Sequence, residues 1–213
     1  MIRIVAVFTV VLAFSFAGCE SSQPAPKQRQ AAIDQIQKEQ LLEQIDRRYE
    51  SPEAHYKLGK IYYNEGVLDK ADFEYRVAVG FDPVHYRAQA GIVRVAMDQK
   101  DSQRARNIAE LYISQAAVSA EKTLLLGKAF ASENLDEYAL SCYYQAIGLD
   151  PKMVEPYKLI GLHFLKAGDK VRAEENLRRS FELNPYQPDV SGELGRLGVP
   201  VTTPRQPAET IPQ

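Results

Sequence analysis

The chain has 213 residues, of which 45% are apolar and 25% are charged, so it is long enough to bury a core in one domain with short flexible ends. Its formal net charge is -2. This balance offers no basic surface for phosphate backbones, and it excludes nucleic acid as the expected partner.

The first predicted element is an export signal over residues 1–18. Arg3 supplies a positive charge, residues 4–16 form an apolar run, and two small residues precede Cys19. Such a run is typical of a signal peptide and is short for a permanent membrane helix. The letters FAGC resemble the bacterial lipobox, although Phe16 stands where that motif usually has leucine. The alternative is an ordinary secretory signal, or an N-terminal anchor helix, with an incidental cysteine.

The lipobox resemblance implies that the Cys19 thiol is acylated. Acyl chains such as palmitate contribute about 0.8 kcal/mol per buried methylene, so two or three of them hold a protein firmly on a bilayer. Residues 19–30 are polar and contain proline, as expected of a flexible tether. Cys142 is then left without a disulfide partner, and we expect it in the core.

A capping helix is predicted over residues 31–51. Four apolar side chains fall on one helical face that would cover the next element: Leu41, Leu42, Ile45 and Tyr49.

A 34-residue pattern then occurs four times without a gap over residues 52–187. The copies span 52–85, 86–119, 120–153 and 154–187. Two apolar stripes of helical spacing occur in each copy, and glycine marks the turn between them at Gly66 and Gly168. Helices of about 12 to 14 residues are marginal alone in water, so the copies must stack on one another.

The second copy departs from the pattern. Val93 replaces the glycine of the other copies, and Ala109 stands where an aromatic is expected. Tyr112, one turn later, takes a column that is otherwise small, so the large and small residues are exchanged and the volume is roughly conserved.

A 34-residue unit with LG, YY, a fixed alanine and a terminal DP resembles the tetratricopeptide repeat, and the resemblance covers about two-thirds of the chain. It implies an all-α fold, a right-handed α-solenoid of helix hairpins. Residues 188–198 read as a truncated first helix that caps the C-terminal end, and the proline-rich residues 199–213 are expected to be disordered.

No catalytic pattern stands out. The three histidines, His55, His85 and His163, fall in different columns, and no phosphate loop, serine elbow or carboxylate pair is present in the sequence. The chain is predicted to be no enzyme and to need no cofactor, metal or small-molecule substrate. An enzyme with an unrecognised site is the alternative.

In the resembling family, the first helix of each hairpin lines a concave groove that binds a segment of another protein. Carried over to this chain, the resemblance implies a row of four cations that is interrupted by Leu162: Lys60, Arg94, Lys128 and Arg196. Lys158 is a further expected groove residue. The resemblance also implies apolar and aromatic groove residues: Tyr56, Tyr63, Met97, Leu124 and Leu165.

A mainly acidic row lies about two helical turns before the cations: Glu53, Arg87, Glu121, Glu155 and Asp189. A mixed groove predicts a partner protein or peptide with acidic and apolar side chains. The alternative is that these charges keep the helix face soluble and form weak ion pairs between adjacent helices.

The resulting hypothesis is a lipid-anchored periplasmic adaptor or scaffold, expected on the outer membrane, that helps to assemble a cell-envelope complex. Lipoproteins that share the repeat and the anchor include pilotins of pilus and secretion systems and adaptors of peptidoglycan machinery. A self-assembling structural envelope lipoprotein is the alternative.

Overall fold

The computed structural model describes residues 26–202, which contain ten α-helices and no strand. The helices are α1 (Pro26–Arg47), α2 (Pro52–Asn64), α3 (Leu68–Phe81), α4 (Tyr86–Asp98), α5 (Ser102–Ala116), α6 (Ala120–Ser132), α7 (Asp136–Leu149), α8 (Val154–Lys166), α9 (Lys170–Leu183) and α10 (Pro188–Arg196). The predicted signal peptide and Cys19 lie outside the described residues. Between residues 26 and 202, no helix has both the length and the hydropathy to cross a bilayer.

Helices α2 to α9 form four consecutive hairpins, one for each copy of the pattern, and each hairpin packs on the next. The first helices α2, α4 and α6 also contact one another directly, whereas α8 joins the array through α7 and α9. The predicted all-α solenoid of helix hairpins is confirmed.

The turn inside each hairpin has the same backbone geometry. The second residue after the first helix adopts a left-handed conformation in every copy, with φ of 77° at Gly66, 65° at Lys100, 55° at Asn134 and 81° at Gly168. The next amide then bonds back to the first helix, as Val67 N does to Tyr62 O at 2.9 Å. This closure satisfies carbonyl groups at the helix end and sets the angle of the hairpin.

Within a hairpin, a glycine on the first helix receives a large side chain from the second. A Cβ added to Gly127 would lie 2.7 Å from Tyr143 Cε1, and one added to Gly161 would lie 2.7 Å from Leu177 Cγ. The ring of Tyr75 is held between two hairpins, because added Cβ atoms at Gly59 and Gly91 would each lie 2.7 Å from it. These glycines permit the close helix approach on which the stacking depends.

In the second hairpin, other residues pack at the positions of this glycine and large side chain. Val93 and Ala109 replace the glycine and the large residue, and both are fully buried. Tyr112 is 9% exposed, and burial raises the pKa of its hydroxyl. Cys142 in the third hairpin is also fully buried, and burial raises the pKa of its thiol to about 12.

The N-terminal cap differs from its predicted bounds. Helix α1 begins at Pro26, so the end of the predicted tether 19–30 is helical. The helix runs antiparallel to α2, with Leu41 packed against α2 and Lys38 Nζ 2.6 Å from a Glu65 carboxylate oxygen.

Only part of the predicted apolar face of α1 is covered. Leu41 is buried and Ile45 packs beside it, but Leu42 and Tyr49 are 45% and 54% exposed. Leu42 follows Leu41 directly, so it turns away from α2 when Leu41 packs against that helix.

The C-terminal cap extends further than predicted. Helix α10 ends at Arg196, and Gly198 (φ 82°) turns the chain so that Val199 packs with Leu177 and Leu194. The predicted disordered tail 199–213 is therefore wrong at its start, because Val199 is only 5% exposed. Residues 203–213 lie outside the described part of the chain.

Candidate partner-binding groove

Two clefts open on the side of the solenoid formed by the first helices. The central cleft, about 460 Å³, lies between α2, α4 and α6 and includes Glu53, Arg87, Leu125 and Lys128. The N-terminal cleft, about 500 Å³, lies between α1, α2 and α4 and includes Lys60 and Arg87 together with glutamines of α1. Arg87 belongs to both clefts and forms the wall between them.

Tyr56 supports this wall, and it lines the N-terminal cleft as a buried ring. It is only 2% exposed, and the Arg87 guanidinium carbon lies 4.5 Å from the centre of its ring. The Tyr56 ring also packs against His85 and Tyr75, at centroid distances of 5.1 and 5.8 Å. Stacking on a buried aromatic restricts the orientation of an arginine.

The Arg94 guanidinium forms hydrogen bonds with other residues of the protein. Its Nη2 donates to Asp98 Oδ1 at 2.9 Å, its Nε donates to Tyr63 Oη at 3.0 Å, and its Nη1 donates to the Glu133 carbonyl oxygen at 3.4 Å. Tyr63 in turn donates to Asp98 Oδ2 at 2.6 Å. Burial and the hydrogen bond to Asp98 raise the pKa of Tyr63. The network joins α2, α4 and the C-terminal end of α6.

The other predicted cations also have acidic neighbours. Lys128 Nζ lies 2.8 Å from Glu155 Oε1, and Lys158 pairs with Asp189, whose pKa its hydrogen bond lowers. Arg196 pairs with Glu193 on its own helix. These contacts are the ion pairs between neighbouring residues and adjacent helices that the alternative interpretation of the charges expected.

The predicted apolar residues are dispersed. Leu124 is buried at 6% exposure, because its side of α6 packs into the core, so it does not line a groove. Met97 and Leu162 are partly exposed, but Leu162 lines a separate cleft of about 230 Å³ beside α7. Leu165 packs in the C-terminal core with Leu177. The structure brings Tyr63, Arg94 and Lys60 to one region and leaves Leu162, Leu165 and Arg196 outside it.

Sequence reasoning missed two residues at this site. Glu133, at the end of α6, is half-buried; burial raises the pKa of its carboxyl, and Lys60, Arg94 and Arg87 oppose that rise. Leu125 is 49% exposed in the central cleft. In the sequence, the signal for Arg87 is that it is the one cation in a mainly acidic row.

The histidines have structural contacts. His55 is buried, with Nδ1 2.6 Å from Glu74 Oε2 and Nε2 2.8 Å from the Tyr49 carbonyl oxygen. His85 caps α4 by accepting a hydrogen bond from the Ala88 amide. In the part of the chain that the structure describes, no three His, Cys, Asp or Glu side chains are placed to hold a metal ion.

The family profile of the tetratricopeptide repeat matches residues 52–85, which are helices α2 and α3 and the following turn. The first hairpin is a tetratricopeptide repeat. The three later hairpins continue the same 34-residue frame, so the recognised resemblance is confirmed. No curated protein is significantly similar to the chain in sequence.

Solved structures with similar helical repeats include MamA (41-end) from Desulfovibrio magneticus RS-1, with 21% identity, coverage of 76% of this chain and 92% of that chain, and a TM-score of 0.42. Pseudomonas aeruginosa PilF has 23% identity, covers 68% and 67%, and has a TM-score of 0.40. YrrB, described as a TPR protein with an unusual peptide-binding site, has 13% identity, covers 79% and 86%, and has a TM-score of 0.41. At these scores the similarities carry no argument about function.

Proposed function

We propose that the chain is an adaptor that binds a segment of a partner protein in the clefts of its first helices. The observation that carries the proposal is the pair of adjacent clefts divided by Arg87, one of which exposes Leu125 and the other Lys60. Open, mixed surfaces of this kind fit a polypeptide with acidic and apolar side chains better than a small substrate. The adaptor is no enzyme and needs no cofactor.

Acylated Cys19 anchors the adaptor to a bacterial membrane, with the outer membrane facing the periplasm as the expected location. The antiparallel packing of α1 supports this arrangement. Lys38 pairs with Glu65 at the end of α2, so residues 26–37 continue past α2 by about 18 Å at the rise of an α-helix. The anchored end therefore leaves from the edge of the solenoid and keeps the clefts accessible.

The partner belongs to a cell-envelope complex, either a pilus or secretion assembly served in the manner of a pilotin, or the peptidoglycan machinery. Both roles combine a membrane anchor with a protein-binding surface. The choice between them depends on the partner, which direct capture identifies.

Site-specific photo-crosslinking in cells tests the binding surface. A photoreactive residue replaces Leu125 in the central cleft, and a matched control replaces Glu110, which is exposed on α5 of the opposite layer. We expect a discrete crosslinked partner from position 125 and none from position 110. Equal crosslinking at both positions, or none at either, contradicts the proposal.

Acylation is tested separately by labelling cells with a palmitate analogue and fractionating their membranes. The native chain is expected to incorporate the label and to sediment with the outer membrane, whereas Cys19→Ala loses both properties. A labelled Cys19→Ala protein, or an unlabelled native one, contradicts the lipid anchor without affecting the groove.

Self-assembly is the second candidate, and the end of the solenoid favours it. The added Cβ of Gly195 on α10 meets no atom within 4 Å, whereas Gly161 at the same place in the preceding hairpin holds Leu177. Within residues 26–202, helix α10 thus leaves open a face that another helix covers elsewhere. Sedimentation over a range of concentrations decides the matter, because a chain that stays monomeric at high concentration contradicts assembly.

A further inference from the structure

The cations of the groove divide into two groups. Arg94, Lys128 and Lys158 each contact a carboxylate of this chain. Lys60 and Arg87 do not: among the side chains that the structure describes, Ile33 and residues 35–202, no carboxylate oxygen lies within ion-pair distance of either. Both side chains are exposed, and both line the N-terminal cleft. A ligand that approaches this cleft therefore meets two cations whose charges are not already paired.

Arg87 is also held in place for binding. Its guanidinium lies over the ring of the buried Tyr56, at 4.5 Å, while its edge stays open to both clefts. A planar guanidinium that is fixed through its face leaves its N–H groups free for bidentate contact with a carboxylate. Prior ordering reduces the entropy lost on binding.

The charges around the site leave one positive charge uncompensated. Lys60, Arg87 and Arg94 all act on the half-buried Glu133 carboxylate, and Asp98 is bonded to Arg94. Three cations thus face two anions, and the Glu53 and Lys57 charges in the same clefts pair with each other. One further carboxylate from a ligand balances the site, whereas a basic ligand side chain meets net repulsion.

The adjoining central cleft supplies an apolar surface beyond Arg87. Leu125 is 49% exposed there, and Ala129 lies beside it. Because Arg87 separates the two clefts, a carboxylate bound on one side of it places the neighbouring part of the same segment against Leu125 on the other side.

We infer that the partner segment binds as two linked groups, with an aspartate or glutamate carboxylate held between Lys60 and Arg87 and a nearby apolar side chain packed against Leu125. The inference rests on the proposed function and names the chemistry of the segment that this site takes. It replaces the four-cation row by a single carboxylate site in the first half of the solenoid.

Peptide selection provides the test. The full chain is solubilised in detergent micelles and immobilised on a solid support. It is then incubated with a synthetic library of 12-residue peptides, in which each position is Asp, Leu, Phe, Lys, Gln or Ser. We expect the bound peptides to carry aspartate within about four positions of leucine or phenylalanine, a separation that spans neighbouring clefts in extended or helical form.

Variants then locate the carboxylate. For a selected peptide, Lys60→Ala and Arg87→Ala are each expected to weaken binding about tenfold, as loss of a charge-assisted hydrogen bond does. Arg87→Lys, which keeps the charge without the planar stack, is expected to recover part of that loss. Arg178→Ala is the matched control and changes affinity less than about twofold, because Arg178 lies on α9, outside both clefts, and pairs with Glu174.

A gain in affinity gives an independent check. Glu133→Gln removes an opposing carboxylate and is expected to strengthen binding of the same peptide about threefold at low salt. Helix content measured for every variant separates loss of binding from loss of fold.

The outcomes distinguish the inference from the function on which it rests. If selected peptides lack aspartate, or if Arg178→Ala weakens binding as much as Arg87→Ala, the carboxylate site is overturned while groove binding stands. If no peptide binds, or if Leu125→Lys, Lys60→Ala and Arg87→Ala all leave binding unchanged, the groove itself is not the binding surface and both proposals fail.

Discussion

Lys100 occupies a backbone position that glycine holds in two sister turns. Its φ of 65° matches the 77° of Gly66 and the 81° of Gly168, but an L-residue with a Cβ is disfavoured in this region by about 1–2 kcal/mol. The cost is tolerated because the turn closes every hairpin in the same way.

Replacing Lys100 with glycine is therefore expected to stabilise the protein. The gain is about 1 kcal/mol, reduced somewhat by the greater freedom of glycine in the unfolded chain, and it corresponds to a rise of about 2–4 °C in Tm. Gly66→Ala is the matched control and should lower stability by a similar amount, since a Cβ there meets no atom within 4 Å and only φ is strained. A lower Tm for Lys100→Gly in thermal unfolding contradicts this account.

Glu133 makes stability depend on pH. Burial raises its folded-state pKa above the unfolded value, so between these two values the folded state holds more protons than the unfolded state and stability falls as pH rises. Glu133→Gln removes this fall. We expect its Tm to exceed that of the parent by about 1–3 °C at pH 7, given solvent screening, and to match it at about pH 4. Parallel Tm curves for the two proteins across this range would exclude the effect.

At the scale of helices, each hairpin depends on a size match between two columns. Gly127 meets Tyr143, while the second hairpin sets Val93 against Ala109, and all four side-chain positions are buried. The two solutions place their volume on opposite helices of the pair. Either combination of one large and one small residue fills the space between the helices. Two large residues overpack this space, and two small residues leave a cavity.

A double-mutant cycle tests the size match. Gly127→Val alone is expected to cost about 3 kcal/mol by overpacking, and Tyr143→Ala alone about 3–5 kcal/mol by leaving a cavity. The double variant copies the Val93 and Ala109 pair of the second hairpin but not its Tyr112, so its loss should be smaller than the sum by at least about 1 kcal/mol. Urea unfolding measures each variant. Strict additivity would show that the columns act independently.

At the scale of the whole molecule, each hairpin is stabilised by packing against its neighbours, and the capping helices cover the two ends of the array. Leu194 of α10 is fully buried against Leu177 of α9, and α1 covers α2 in the same role. In such arrays, the loss of a stabilising contact in one unit lowers mainly the stability of the adjoining unit.

Leu194→Ala is therefore expected to increase amide hydrogen exchange in α8 and α9 while leaving α2 and α3 nearly unchanged. The local free energy of opening should fall by about 2–4 kcal/mol. Gly195→Ala, the next residue on the same helix and in open space, is the control and should not increase exchange. A uniform increase across all four hairpins would mean that the described chain opens as one unit.

Much of the fold could be predicted from particular residues of the sequence. The columns through Ala71 and Leu58 predicted the period and the paired helices, and Gly66 and Gly168 predicted the turns. The ends were less readable, because whether Val199 is buried or Leu42 is exposed depends on how far a cap reaches across its neighbour. The second hairpin was recognisable from its exchanged residues, but Gly91, which receives Tyr75, lies outside the expected glycine column.

The sequence by itself determined that this protein is a stack of helix hairpins, because the 34-residue period and its small and large columns are local patterns that any stacking must satisfy. Only the tertiary structure decided which charges face a partner. Tyr63 and Asp98 are 35 residues apart and Arg94 and Glu133 are 39 apart, so whether they bond depends on the angle and rise between hairpins. That geometry pairs Arg94 and Lys128 internally and leaves Arg87 open over Tyr56, a distinction that charge spacing along the chain does not contain.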